Sequence, residues 1–362
     1  DLHIAKGSIL SKKRKHQGAL QHFHKAQNLS ENPIDTYPFI AFEYQCLGRF
    51  QDAIKYLENF LDNEPDDDIA IFNIAYCFER LDAYNDAIDF FKQLIEKSPY
   101  CEITWYQLGL FYNKIKDYKQ AIIALDYAIL IDETFTAGYH EKARSLSQLR
   151  KNKEAINTYL LTFAYENATG YTYLKIGLCY KELSSYKQAI RYFTKACHED
   201  PQLSEAWMEI GLCYEAIGSI EEGLHYIKKA VNLSPDDLEY LYIQTKTYYK
   251  TGFYNEAELG FKKLIKLGCE SPIIWMDYAH LMKKCNETKK AISILKKGLE
   301  KNKKHSEILV RLGAYLFLDN QEELAHKYLR TANKINPDIK TDIFKHIPDL
   351  KNNNNFNKLL KL

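Results

Sequence analysis

Cysteine and histidine side chains are the residues in this sequence whose chemistry would first suggest a metal site or a nucleophile. The eight cysteines lie at least 16 residues apart and the 11 histidines are scattered, so no cluster has the spacing of a zinc site. The sequence also lacks a phosphate-binding loop, a nucleophile elbow and a His-Glu-x-x-His motif. We therefore predict a protein that is not an enzyme, needs no cofactor and holds no metal ion.

The dispersed cysteines also bear on the compartment. Thiols with this spacing in a long chain behave as small apolar core residues in a reducing environment, which predicts a cytoplasmic location. No apolar run reaches the ~18 residues that a membrane span requires. We therefore predict no membrane span.

Composition excludes several classes of protein. Hydrophobic residues make up 46% and aromatic residues 14% of the 362 residues, too much for a disordered chain. The 15 glycines and 9 prolines are too few for a turn-rich all-β chain. The net charge of +1 argues against a generic nucleic-acid binder.

The neutral total hides an asymmetry along the chain. Residues 1–239 carry 26 basic and 35 acidic residues, whereas residues 240–362 carry 23 basic and 13 acidic residues. Opposite charges in the two portions could steer different partners, or favour head-to-tail self-association.

The elements that position the side chains come from an internal repeat of 34 residues. Residues 105–112 read Trp-x-x-Leu-Gly-x-x-Tyr, and residues 207–214 read Trp-x-x-Ile-Gly-x-x-Tyr, three periods later. Steps of 34 from Gly109 meet Gly or Ala at nine of ten positions, and the residue twelve further on is Ala in nine units and Gly223 in the other. The register does not slip, so residues 1–339 contain ten units without insertion.

The spacing has a physical interpretation. Small residues at two fixed points allow two helices to approach closely, and bulky residues at helical spacing fill the remaining space. Prolines 65, 99, 201, 235 and 337 share one phase near the end of the unit, where Pro ends a helix. Each unit is therefore predicted to be a pair of antiparallel helices.

This pattern resembles the tetratricopeptide repeat, in which Trp-x-x-Leu-Gly-x-x-Tyr, Ala-x-x-x-Phe and Pro follow one another within 34 residues. The resemblance covers residues 1–339. It implies an all-α solenoid of antiparallel helix pairs that forms a right-handed superhelix with a concave groove. Lys142 replaces a large apolar residue and Gln244-Thr245 replaces Leu-Gly, which predicts softer joints at these two units.

Residues 340–362 break the register. Pro348 falls where the first helix of an eleventh unit would continue, and Thr341 is placed to cap a short apolar helix. An Asn-rich run at 352–355 precedes a last apolar segment. We predict that residues 340–362 form a capping helix and an Asn-rich tail that cover the last unit.

In the tetratricopeptide family the first helix of each unit lines the groove, so the resemblance places candidate partner-binding residues on these helices. Aromatic and amide side chains come from units two to four: Phe39, Phe42, Phe72, Asn73, Tyr76, Tyr106, Gln107 and Asn113. Basic residues and tyrosines come from later units: Arg144, Lys175, Lys181, Tyr242, Lys246, Tyr249 and Lys250. Contiguous exposed aromatics would mark an interaction site, whereas the alternative is that they close the gaps between neighbouring repeats.

One known binding mode of the family is not expected here. Some members hold the terminal carboxylate of a peptide with a clamp that uses lysines at positions 5 and 2 of their units. None of the ten units here has Lys at either position. We therefore do not expect recognition of a terminal carboxylate by that clamp.

The leading prediction is a non-enzymatic protein–protein interaction scaffold that binds peptide segments or partner domains in the concave groove. Its partners are predicted to be other proteins or peptides. The alternative is RNA binding by the basic C-terminal half, through base stacking on tyrosines and phosphate contacts with lysines. A third hypothesis is that the array serves as the targeting arm of a larger enzyme.

Overall fold

The computed structural model describes residues 2–336, 350, 351, 353 and 355–357. In this part of the chain there are 20 α-helices and no strand, and first and second helices of the repeats alternate. The first helices are α1 (Leu2–Lys12), α3 (Tyr37–Cys46), α5 (Asp68–Arg80), α7 (Glu102–Lys114), α9 (Thr136–Gln148), α11 (Gly170–Glu182), α13 (Ser204–Ala216), α15 (Leu238–Lys250), α17 (Pro272–Lys284) and α19 (Ser306–Leu318). The second helices are α2 (His16–Leu29), α4 (Phe50–Leu61), α6 (Tyr84–Lys97), α8 (Tyr118–Ile131), α10 (Asn152–Leu161), α12 (Tyr186–Glu199), α14 (Ile220–Leu233), α16 (Tyr254–Lys266), α18 (Thr288–Lys301) and α20 (Glu322–Ile335).

The small residues of the repeat lie where helices touch. All nine alanines of the Ala position are completely buried. A Cβ atom added to Gly109 would lie 2.7 Å from Leu125 Cγ, and one added to Gly211 would lie 2.5 Å from Ile227 Cγ1. Neither position has room for a side chain, which confirms the predicted all-α solenoid of helix pairs.

The chain divides into two compact units, Asp1–Ser185 and Tyr186–Leu362. Each has its own apolar core. In the first unit the core extends from Ala19 to Ala124, and in the second it extends from Met208 to Phe356. No helix of the described residues is both long enough and apolar enough to cross a membrane.

The turn between the two helices of each repeat contains one residue with left-handed backbone, with φ between 53° and 89°. These residues recur every 34 positions: Arg14, Gly48, Asp82, Lys116, Arg150, Ser184, Gly218, Gly252, Asn286 and Asn320. The left-handed residue lets the backbone close the end of the first helix. Seven of the ten residues are not glycine, so the sequence motif does not reveal this requirement.

Two units depart from the repeat, and the structure shows how each accommodates its substitution. Lys142 places its Nζ 2.5 Å from Asp126 Oδ1, so the ammonium group is paired. The Thr245 side chain is fully buried, and its Oγ1 donates a hydrogen bond to the carbonyl oxygen of Leu241 at 2.7 Å. Thr245 thereby satisfies its hydroxyl within its own helix.

Two of the described residues beyond the last repeat pack on the second core. Leu350 and Phe356 are both buried, and the Phe356 ring centroid lies 5.1 Å from that of Phe317 in α19. The predicted helix after Thr341 and the boundary at residue 340 lie outside the described residues. The capping role of this segment therefore stays a prediction.

Candidate functional site

An open cleft of about 410 Å³ lies on the first helices of repeats three to five, α5, α7 and α9. We call it the aromatic cleft. Its lining residues are Phe72, Ala75, Tyr76, Glu79, Tyr106, Gln107, Leu110, Phe111, Lys114, Glu141 and Arg144. Five of these residues, Phe72, Tyr76, Tyr106, Gln107 and Arg144, are predicted site residues that the fold brings together.

The aromatic side chains project from one face of two neighbouring helices. Phe72 and Tyr76 are one helical turn apart on α5, and they are 46% and 48% exposed. The Tyr106 ring is partly buried and makes an edge contact with Phe135, with centroids 5.1 Å apart. Phe111 forms a buried floor below them. The result is a surface on which large apolar groups remain available to a ligand.

The rim of the aromatic cleft carries charges of both signs. The Lys114 ammonium pairs with Glu79, joining α7 to α5. Arg144 and Glu141 form a second pair on α9, with 2.5 Å between Arg144 Nη2 and Glu141 Oε2. These paired side chains leave the rim polar but close to neutral, so the cleft is not built for an isolated strong charge.

Tyr106 keeps its hydroxyl proton at neutral pH. Burial raises its pKa, and the Glu141 carboxylate raises it further. The phenol is therefore a neutral hydrogen-bond donor at the edge of an apolar floor.

A smaller pocket of about 250 Å³ lies on the other side of Arg144, next to Asn113. The Asn113 Oδ1 accepts a hydrogen bond from Ser145 Oγ at 2.8 Å, and this bond joins α7 to α9. Gln107 is only 5% exposed. Asn113 thus holds repeats together, and Gln107 presents little surface to a ligand.

Three predicted residues of the second and third repeats lie outside the aromatic cleft. Phe39 and Phe42 are 43% and 49% exposed on α3, and the Phe39 ring stacks on Phe23 with centroids 5.4 Å apart. Asn73 contributes its backbone carbonyl oxygen, which accepts a hydrogen bond from Gln45 Nε2 at 3.1 Å. Phe39 and Phe42 add two exposed rings on α3.

The predicted basic residues lie on first helices of both units. Lys175 and Lys181 lie on α11, and the Lys175 Nζ stands 4.6 Å from the centroid of the Tyr171 ring. The remaining four residues, Tyr242, Lys246, Tyr249 and Lys250, lie on α15 in the second unit.

On α15 the basic side chains are already engaged with carboxylates. Tyr242 Oη and Lys246 Nζ donate to the same oxygen, Asp277 Oδ2, at 2.7 and 2.8 Å. Lys250 Nζ pairs with Glu215 Oε1 at 2.5 Å. Burial raises the pKa of Tyr242, and its hydrogen bond to Asp277 adds to this effect. The groups that would hold phosphates are thus largely neutralised within the protein.

Tyr249 is part of an aromatic group rather than an open stacking platform. Its ring lies 6.0 Å from Tyr254 and 5.8 Å from His280. The Lys284 ammonium stands 5.0 Å from its centroid. These contacts occupy the ring and fix its position between α15 and α17.

Sequence reasoning did not select Leu110 and Lys114 for the site. Leu110 occupies the same unit position as Tyr76, and Lys114 the same position as Arg80, one period apart. Reading every unit at those positions would have found both. Over the described residues there is no group of three or more His, Cys, Asp and Glu side chains that could hold a metal ion.

Comparison with known proteins bears on the family. Sequence models of the tetratricopeptide repeat match residues 44–100, and also 103–135, 171–203 and 204–237. A comparison with curated proteins finds no match.

Solved structures with similar folds include other repeat proteins. The C-terminal part of a tetratricopeptide repeat protein from Cytophaga hutchinsonii has 18% identity and a TM-score of 0.58, over 67% of this chain and 98% of that one. A tetratricopeptide repeat protein from Parabacteroides merdae has 14% identity and a TM-score of 0.49, over 67% and 95%. The human IFIT1 dimer with PPP-AAAA has 16% identity and a TM-score of 0.41, over 91% and 89%.

The unbroken 34-residue register, the alternating helices with buried small residues at their contacts, and the matching repeat models agree with one another. The Cytophaga structure shows the same fold. The chain belongs to the tetratricopeptide repeat family.

Proposed function

We propose that this chain is a non-catalytic interaction scaffold that binds a peptide segment of a partner protein in the aromatic cleft. The observation that supports this most is the pair of half-exposed rings, Phe72 and Tyr76, above an apolar floor in a cleft of about 410 Å³. Exposed rings at a concave surface are typical energetic centres of protein interfaces. Membership of the tetratricopeptide family agrees with a protein-interaction role.

The lining of the cleft indicates what kind of segment would bind. Large apolar side chains of the ligand would cover Phe72, Tyr76 and Leu110, because burial of apolar surface supplies most of the affinity. Polar groups of the ligand backbone would meet the Tyr106 hydroxyl and the charged rim. An uncharged or mildly charged segment with one or two apolar anchors fits this surface best.

The proposal can be tested with a random peptide display library. Peptides are selected on the immobilised full chain, and the affinity of the best peptide is measured by fluorescence anisotropy. Replacing Phe72 and Tyr76 together by Ala should weaken binding about 30-fold or more, as expected for loss of interface anchors. Circular dichroism should show unchanged helix content, since both rings are half exposed.

Tyr100→Ala is the matched control, because Tyr100 is 83% exposed and lies outside the aromatic cleft. This variant should bind the selected peptide as the unmodified chain does. If the double variant and the control bound the peptide with equal affinity, the aromatic cleft would not be the binding site.

A reducing, cytoplasmic setting is part of the proposal. The eight cysteines are free thiols, and five of them are buried. Burial raises the pKa of the Cys197 thiol to about 12, so this group stays protonated and unreactive. Buried free thiols of this kind support a structural role in a compartment that does not form disulfides.

A further inference from the structure

A ring on the second helix of a repeat commonly covers a ring on the first helix. The covering ring of the second helix belongs to the residue three positions after the Ala position of the repeat (Ala53, Ala87 or Gly223). At this position the ring pairs, with their centroid separations, are Tyr56 on Tyr44 at 5.7 Å, Phe90 on Phe78 at 5.7 Å and Tyr226 on Tyr214 at 5.3 Å. The last pair is nearly parallel, with 3° between the planes. In each of these contacts a ring of the second helix packs against a ring of the first helix.

The eighth repeat has Gly260 at this position and therefore supplies no ring. Thr245 packs next to Gly260 and explains why residue 260 is a glycine. Thr245 occupies the first-helix position where the other nine units have Gly or Ala, so it leaves no space for a side chain at residue 260. A Cβ atom on residue 260 would lie 2.2 Å from Thr245 Oγ1. In repeat eight the first helix therefore has the larger residue, Thr245, and the second helix has the smaller one, Gly260. The second helix thus lacks the covering ring.

An open cleft of about 540 Å³ remains where that ring would stand, and we call it the repeat-eight cleft. Leu241, Gln244 and Tyr248 of α15 line one side, and Leu259 and Gly260 of α16 line the other. Tyr248 occupies the unit position of Tyr214, the residue on which Tyr226 stacks one repeat earlier. Both tyrosines are partly exposed, but Tyr214 stacks on a ring of the second helix, whereas the ring contact of Tyr248 with Phe253 is nearly perpendicular.

Two other repeats that lack this ring form ring pairs at other positions. Repeat four has Ala124 at this position, and Tyr127 stacks on Trp105 instead, with centroids 4.4 Å apart. Repeat five has Thr158, and Phe163 contacts Tyr173 at 5.5 Å. The Tyr248 ring meets that of Phe253, at the start of α16, nearly at right angles, with centroids 6.3 Å apart. None of the other residues that line the repeat-eight cleft supplies an aromatic ring to stack on Tyr248.

The mouth of the repeat-eight cleft is net positive. Lys228 and Lys263 are both exposed there, and Glu256 is the carboxylate among the lining residues. The Lys228 Nζ stands 5.3 Å from the centroid of the Tyr248 ring, and Lys263 Nζ donates to the Pro235 carbonyl oxygen at 2.9 Å. An anionic group of a ligand would therefore find two ammonium groups next to the ring site.

We propose that the repeat-eight cleft binds an aromatic side chain of a partner peptide in which an acidic residue flanks the aromatic one. The ring of the ligand stacks on Tyr248 in place of the missing ring, and the acidic group meets Lys228 and Lys263. This site lies in the second unit and is independent of the aromatic cleft. It goes beyond the proposed function, because it gives the scaffold a second peptide site with its own chemical preference.

The test uses two acetylated, amidated tripeptides, Glu-Tyr-Glu and Glu-Leu-Glu, titrated into the isotope-labelled full chain and followed by NMR. The Tyr peptide should shift amide signals of residues 241–260 and bind about fivefold more tightly than the Leu peptide, as ring stacking predicts. Equal affinity of the two peptides, or no shift of these signals at concentrations up to about 10 mM, would overturn the proposal.

The variant Thr245→Gly with Gly260→Tyr restores the usual order of the repeat and fills the cleft with the chain's own ring. It should keep or raise the thermal midpoint and lose binding of the Tyr peptide. Binding equal to that of the unmodified chain contradicts the proposal. A second variant, Tyr248→Leu, removes the stacking surface without filling the cleft, and it should weaken the Tyr peptide to the level of the Leu peptide.

Two further double variants test the role of the lysines and the location of the site. Lys228→Ala with Lys263→Ala should weaken both acidic tripeptides severalfold, because the anionic groups lose their partners. Phe72→Ala with Tyr76→Ala should leave both affinities unchanged, since these residues line the aromatic cleft of the first unit. Loss of tripeptide binding in this control would place the site elsewhere and overturn the assignment to repeat eight.

Discussion

The turn inside each repeat depends on the backbone conformation of a single residue. Ten residues spaced by 34 adopt left-handed backbone, and only Gly48, Gly218 and Gly252 among them are glycine. The left-handed conformation costs a residue with a side chain roughly 1–2 kcal/mol of folding free energy. Glycine avoids this cost, but it loses more conformational entropy on folding, which offsets part of the advantage. The non-glycine turns therefore hold modest strain.

Replacing Lys116, at φ 63°, by Gly should raise stability by about 0.5–1 kcal/mol, because the left-handed strain is relieved. The reverse change, Gly218→Ala, should lower stability by a similar amount. Thermal midpoints by circular dichroism measure both. A lower midpoint for Lys116→Gly would show that this turn is not strained.

A second residue-scale feature is the contact between His16 and Glu43. The Glu43 side chain is 1% exposed, and its Oε2 lies 2.8 Å from His16 Nδ1, while Oε1 has no hydrogen-bond partner among the described residues. His16→Ala would leave a buried carboxylate without its partner and should cost about 3 kcal/mol in denaturant unfolding. Adding Glu43→Gln to His16→Ala should restore part of the lost free energy of unfolding, because the buried charge is removed. If none is restored, the loss is not electrostatic in origin.

At the scale of elements, the ends of the array need a different treatment from its middle. An inner helix pair is covered on both sides, whereas the last pair, α19 and α20, needs cover from residues beyond the repeats. Leu350 and Phe356 pack on this core, and both are at most 1% exposed. This placement supports the predicted cap.

Phe356→Ala tests that role. Removing a fully buried ring should destabilise the second unit by about 3 kcal/mol or more, because a cavity opens against Phe317. Unfolding is followed by chemical denaturation of the full chain. Ile335→Ala is the control, since Ile335 is 44% exposed at the end of α20, and a loss confined to the control would contradict a capping function.

The periodic sequence was sufficient to predict the helices and their contacts. Nine buried alanines and glycines such as Gly109 act through spacing alone, and spacing is visible in a sequence. The clefts were harder to predict, because they depend on which side chains neighbouring helices leave uncovered. Phe39 and Phe72 are similarly exposed rings on first helices, yet only Phe72 lines the aromatic cleft.

At the scale of the whole molecule, some of the charged side chains link one repeat to the next. Ion pairs such as Glu79 with Lys114, Arg150 with Glu182 and Glu215 with Lys250 join residues about one period apart. Each exposed pair adds little stability by itself. The pair of Glu215 with Lys250 neutralises one of the lysines that the RNA alternative would use.

This pairing leads to a prediction about the RNA alternative. Binding of single-stranded RNA to the full chain, measured by filter binding between about 50 and 300 mM salt, should be weak and should depend only slightly on salt, equivalent to about two phosphate contacts or fewer. Asp277→Asn releases Lys246 and should steepen the dependence. Tight binding of the unmodified chain with a steep salt dependence would favour the RNA alternative.

The central claim is that the rings of repeats three and four hold a peptide, and site-specific photocrosslinking tests it most directly. The crosslinking amino acid p-benzoylphenylalanine replaces Tyr76 in one variant and Tyr100 in another, and each is irradiated with the display-selected peptide. The account predicts a strong covalent product at position 76, competed by excess unlabelled peptide, and little product at position 100. Equal yields at the two positions, or none at position 76, would contradict it.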